Sequence, residues 1–154
     1  MKGNRIEKRR EGDSMAKAEL KILIGLHRAV NEIDRQTSRL LQPYELTLGQ
    51  FAVLEALYHK GDMTVGQVQE KILSSSGTIP LILKNLEKRG LILRKQDEED
   101  KRRWILHLTE MGQQLIEEVY PKNEAMIIEQ FQEYSEEEKE QFVTLLKKYG
   151  EKKR

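Results

Sequence analysis

SSSGTIPLILKNLEKRGLILRKQDEEDKRRWILHLTEMG, residues 74–112, decides the fold. Ile79, Ile82, Leu83 and Leu86 recur at three- and four-residue intervals, which predicts an amphipathic helix with those side chains buried. Ser74 to Ser76 interrupt the preceding segment and can cap this one. Pro80 has no amide to donate, a loss that is cheap only in a first helical turn. The helix is therefore expected to begin close to Ser76 or Gly77 and to stop at Gly90. Leu91 to Lys95 and Arg103 to Leu108 fit two short strands, with Asp97 to Arg102 turning between them. Helix, glycine exit and charged hairpin together make a winged helix.

Upstream, Thr47 with Gln50 three residues on forms a capping-box pattern. It opens a helix whose buried side is Phe51, Leu54, Leu57 and Tyr58, closed by Gly61. Met63 and Thr64 fit a very short strand before a helix from Val65 to Ile72. A longer helix is expected over roughly residues 17–41, where Leu20, Leu23, Ile24, Leu26, His27, Val30, Ile33, Thr37, Leu40 and Leu41 form a wide stripe. Pro43 ends it. Residues 1–14 are polar, without apolar periodicity, and are expected to form a disordered extension. Downstream, Thr109 caps a helix running to about Phe131, and Ser135 with Glu138 makes another capping box before a last helix to about Tyr149.

The expected fold is mainly α with a small β hairpin: a winged helix-turn-helix flanked by dimerisation helices. Residues 1–14 are the extension, 15–46 an N-terminal dimerisation helix and linker, 47–108 the winged module, and 109–154 C-terminal dimerisation helices with a basic tail. A chain of 154 residues suits one such domain with dimerising appendages.

Net charge is only +1, so charge distribution carries more information than the total. Residues 110–140 hold ten glutamates against two lysines, whereas Lys84, Lys88, Arg89, Arg94 and Lys95 crowd one short segment against Glu87 alone. A locally basic segment can bind a polyanion on a nearly neutral protein. The absence of cysteine excludes disulfides, thiol redox sensing and sulfur-ligated metals. His27, His59 and His107 form no compact metal motif, and no cofactor is expected. No stretch reaches the ~18 apolar residues of a membrane span, and the N-terminus lacks a secretory signal pattern, so a cytoplasmic protein without a membrane partner is expected.

The chemistry of the module points to double-stranded DNA. A helix fits the major groove, and its N-terminus offers unpaired amides to phosphate. Ser75, Ser76 and Thr78 can add hydroxyl contacts, and Lys84 and Lys88 can approach phosphate. Lys101, Arg102 and Arg103 form a basic wing tip able to follow the minor groove or its rims. Asp100 is expected to pair with Arg102 or to accept turn amides, holding the arginine extended. Trp104 is expected to pack beneath the hairpin.

On these residues the chain resembles the MarR family of bacterial winged helix-turn-helix regulators. DKRRWILHLTEMG carries the family's spacing at Asp100, Arg102, Leu108, Thr109 and Gly112, and SSGTIPLILKNLEKRGLI matches its recognition-helix segment, including Leu86, Glu87, Gly90 and Leu91. The resemblance covers roughly residues 17–150. It implies that Ser76, Thr78, Pro80, Leu81 and Lys84 lie on or beside the reading surface, with Arg102 at the wing tip. Many relatives carry Thr-Arg where this chain has Pro80-Leu81, so operator preference is not carried over. A homodimer is implied, with Tyr120, Met126, Ile127, Phe131, Phe142, Leu145, Leu146 and Tyr149 able to pack among the termini of two chains. Also implied is a small aromatic effector between the dimerising helices and the winged module, where His27, Arg28, Tyr44, Phe51 and Tyr58 can border a pocket.

The resulting expectation is a sequence-specific transcription regulator, a ligand-responsive repressor acting as a homodimer. The competing reading is a winged-helix module for protein association with weak or no specific DNA binding. An enzyme is disfavoured: the clustered glutamates look like a cap and a solvated face, and the histidines lack partners for hydrolysis.

Overall fold

A computed structural model describes residues 4–72 and 78–151. In chain order the elements are α1 (Asn4–Leu41), a single 3-10 turn (Gln42–Tyr44), α2 (Leu48–Lys60), β1 (Met63–Thr64), α3 (Val65–Ile72) and α4 (Ile79–Lys88). They continue with β2 (Ile92–Gln96), β3 (Trp104–Leu108), α5 (Glu110–Gln130) and α6 (Glu136–Glu151). The winged helix-turn-helix and its flanking helices are as expected. The hairpin is joined by β1 into an antiparallel sheet of order β1-β3-β2, with Met63 opposite Leu106.

Local chemistry sets most boundaries. Thr47 and Gln50 exchange both capping-box bonds, 3.2 Å from the Gln50 amide and 3.1 Å from the Thr47 amide. Ser135 and Glu138 do the same ahead of α6. Thr64 and Gln67 form a further reciprocal pair at the start of α3, at 2.9 and 3.1 Å. Gly90 adopts φ +70, the left-handed exit that its lack of a Cβ allows.

Three expectations need correction. α1 begins at Asn4, so much of the extension expected over residues 1–14 is helical. Lysine, arginine and glutamate are good helix formers, and a helix can lengthen on propensity where no periodic stripe announces it. α4 begins at Ile79 rather than near Ser76, which places Pro80 in the opening turn, where its missing amide breaks no helical bond. Trp104 is 43% exposed at the head of β3 rather than packed beneath the hairpin. Strand alternation aims Ile105 and Trp104 at opposite faces, and only the fold says which is which.

The core lies inside the winged module and runs into α5. Leu54, Val68, Ile79, Leu83, Leu86 and Leu106 are fully buried and meet Ile116 and Val119 of α5, with Leu41 closing the end of α1. Thr37 donates to the Asn123 side-chain oxygen at 3.2 Å, a buried polar tie between α1 and α5. The N-terminal half of α1 and all of α6 contribute no buried side chain among the described residues.

Candidate nucleic-acid interface

Burial on α4 separates a packing side from a presenting side. Ile79, Ile82, Leu83 and Leu86 are buried, whereas Thr78, Pro80, Leu81, Lys84 and Lys88 are exposed. Leu81 is 59% exposed, an apolar side chain held toward solvent in the middle of the candidate reading surface. Ser75 and Ser76, also expected at this surface, lie outside the described residues.

The basic segment is less available than its sequence suggests. Arg94 forks onto Glu87 Oε1 from β2, with Nε and Nη2 at 2.9 and 2.5 Å. Arg89 turns away from the α4 surface and donates to two backbone carbonyls of the 3-10 turn and the residue that follows it. Lys84 and Lys88 are therefore the cations that α4 displays on the Leu81 side.

The wing tip is built as a brace. Asp100 accepts from the Arg102 amide at 3.1 Å, from Arg102 Nε at 3.0 Å and from Arg102 Nη2 at 3.2 Å. Arg103 Nε lies 3.4 Å from the same carboxylate. Both alternatives foreseen for Asp100, pairing with the arginine and accepting a turn amide, operate together. The result is a carboxylate only 24% exposed beneath an arginine 91% exposed. Hydrogen bonds from the Arg102 side chain, then from its amide, hold the Asp100 carboxyl below its ordinary range. A guanidinium pinned at its base loses less rotational freedom on meeting a phosphate. Lys101 is exposed beside it, with its carbonyl accepting from Gln96 Nε2 at 2.6 Å.

The five residues expected to border an effector pocket are spread through the chain. His27 and Arg28 are exposed on α1, Phe51 is in the core, and Tyr44 and Tyr58 are half-buried. Tyr44 is engaged with α5, and the Tyr58 ring lies 6.0 Å from that of Tyr120. An open groove of about 1110 Å³ runs between the end of α1, the start of α2 and α4, bordered by Arg39, Leu46, Gln50, Thr78, Leu81 and Asn85 among others. None of the five lines it.

The model of the MarR family matches residues 46–104, the winged module through the wing. The HTH-type transcriptional regulator MhqR of Bacillus subtilis (strain 168) is 37% identical over 136 residues, covering 88% of this chain and 94% of that protein. The chain belongs to the MarR family. Solved MarR-like folds superpose over most of its length. The S. aureus MepR–DNA complex has a TM-score of 0.75 at 25% identity, covering 84% of this chain and 94% of that one. NadR in complex with 4-hydroxyphenylacetate has a TM-score of 0.72 at 25% identity, with coverage of 83% and 91%. As a MarR-family protein the chain is a DNA-binding regulator of transcription and not an enzyme. Among the described residues no helix is long and apolar enough to cross a membrane.

Two features that organise this MarR module left little trace in the sequence. Arg89 was counted with the basic segment, but its partners sit more than forty positions earlier and nothing local announces them. Gly112 was noted as part of a motif without a reason. A Cβ built there would stand 2.0 Å from the Leu91 carbonyl oxygen, so α5 can meet the end of α4 at this distance only through a glycine.

Proposed function

We propose that this MarR-family chain is a sequence-specific repressor that binds double-stranded DNA as a homodimer and releases it on binding a small aromatic effector. One observation carries the DNA-reading assignment: the exposed α4 face of Thr78, Pro80, Leu81, Lys84 and Lys88 accompanies a wing whose Arg102 is pinned outward by Asp100. Ser75 and Ser76 complete the reading surface from the α4 approach, and Lys101 and Arg103 flank Arg102. Leu81 suits a thymine methyl, and the lysines suit phosphate.

Two reading helices related by a twofold axis meet successive half-sites of one duplex. The exposed apolar faces of α1 and α6 support that assembly: Leu20, Leu23, Val30, Leu145, Leu146 and Tyr149 have more apolar surface in water than a lone chain gains from. The NadR complex supports a phenolic effector, and His27, Arg28, Tyr44, Phe51 and Tyr58 are the residues to probe for it.

The test is salt-dependent binding to short duplexes selected from random sequence. Lys84→Ala and Arg102→Ala are each expected to lower affinity about tenfold and the salt slope by about one. Failure of the wild-type chain to prefer any sequence over bulk DNA at several salt concentrations overturns the assignment in favour of a protein-association module.

A further inference from the structure

Arg89, the last residue of the α4 segment before Gly90, spends its guanidinium on the backbone of the α1–α2 linker. Nη1 donates to the Glu45 carbonyl at 2.7 Å and Nη2 to the Tyr44 carbonyl at 2.9 Å. Glu45 stands at φ +55, the left-handed region that a non-glycine residue enters at a cost and holds only when its surroundings enforce it. Its amide is tied to the Gln42 carbonyl at 3.0 Å and its carbonyl to Arg89. The linker is in turn fastened to α5. The Tyr44 hydroxyl donates to Glu118 Oε1 at 3.1 Å and accepts from Lys122 Nζ at 2.6 Å. That bond is the first cause of the raised pKa of Lys122.

The end of α4 also meets α5 directly. Thr109 donates its hydroxyl to the Gly90 carbonyl at 2.5 Å and its amide to the Leu91 carbonyl at 3.1 Å. The reading helix therefore reaches α5 by two routes, one at Thr109 and one through Tyr44 at Glu118 and Lys122. At 1.5 Å per residue these anchor points lie roughly 14–20 Å apart along the α5 axis. One anchor leaves a helix free to pivot; two separated anchors fix its direction.

Direction matters because α4 is ten residues long. A tilt of about 10° swings the far end of such a helix by roughly 2.6 Å, comparable to the ~3.4 Å rise of a base step. We propose that Arg89 is a positioning residue, the strut of a two-point mount that makes α4 and α5 turn as one body. Half-site spacing is then set where two chains meet, not by flexing within each chain. This rests on the DNA-reading dimer proposed above.

The test uses the full chain and the duplex it prefers, with the distance between half-sites changed one base pair at a time. Arg89→Gln, Arg89→Lys and Tyr44→Phe are each expected to flatten the wild-type spacing preference by about fivefold, Tyr44→Phe least. Lysine keeps the charge but cannot fork across two carbonyls. A lysine variant with wild-type preference makes Arg89 a simple cation and overturns the strut, as does an unchanged preference in all three. A second readout needs no DNA. The native sequence has no cysteine, so Lys84→Cys with Gln114→Cys takes one spin label on each helix. The distance distribution should broaden on adding Arg89→Gln or Tyr44→Phe; equal widths overturn the mount. A wild-type chain that binds no duplex specifically instead defeats the functional reading, and the label distances still decide the strut.

Discussion

The junction of α4 with α5 and the outer faces of α1 and α6 are opposite kinds of surface in one chain. At the junction every group is answered within the molecule: Thr109 caps α5 and bonds the Gly90 carbonyl, Gly112 admits the Leu91 backbone, and Ile116 closes on the core. On α1 and α6, by contrast, Leu23, Ile24, Phe142, Leu145 and Leu146 all face water. The junction is finished by a single chain; the outer faces are finished only by another apolar surface. A regulator that must hold its reading helices rigidly and still change their separation needs both kinds.

Breaking the finished side should have the largest effect. Gly112→Ala sets a methyl against a backbone carbonyl with nowhere to yield, and is expected to cost about 3 kcal/mol or more in urea unfolding. Near-native stability would mean that the junction is looser than its distances indicate. Altering the unfinished side should leave each chain folded but uncoupled. Leu23→Glu with Leu146→Glu is expected to weaken self-association at least thirtyfold in sedimentation while far-ultraviolet dichroism of the winged module persists. An unchanged sedimentation coefficient would place the subunit contact elsewhere.

The wing sharpens the contrast, since it is exposed yet locally ordered. Asp100→Asn keeps the shape and removes the charge beneath Arg102. DNA affinity should fall about threefold, less than on removing the arginine itself. Acidification gives the smallest effect. The folded-state pKa of Asp100 lies below its ordinary value, so its contribution to wing order is complete above the unfolded carboxylate range and is lost as pH falls through the depressed value. Arg102 side-chain exchange, followed by magnetic resonance, should remain slowed down to about pH 4 and quicken below it. Quickening near neutrality would point to a different partner for the arginine.

Much of this was legible before folding because it is local. Thr47 with Gln50, Ser135 with Glu138, the Thr109 cap and the Asp100–Arg102 brace all act across two or three residues, within reach of side chains whose order is written in the chain. The α4 stripe was equally plain, since four apolar residues at helical spacing leave only one packing side. The start of α4 was read too early because a proline is acceptable at more than one position in a first turn. Trp104 was misread because alternation defines two strand faces without saying which meets the core.

The sequence alone therefore determined the elements, their caps, the apolar stripe of α4 and the pinned arginine of the wing. The tertiary structure decided which cations remain outward, because Arg94 and Arg89 are withdrawn by Glu87 and by the linker carbonyls. It also decided why residue 112 is glycine and how the reading helix is braced against α5. Those outcomes depend on backbone atoms brought together from distant parts of the chain, and a carbonyl carries no letter in the sequence.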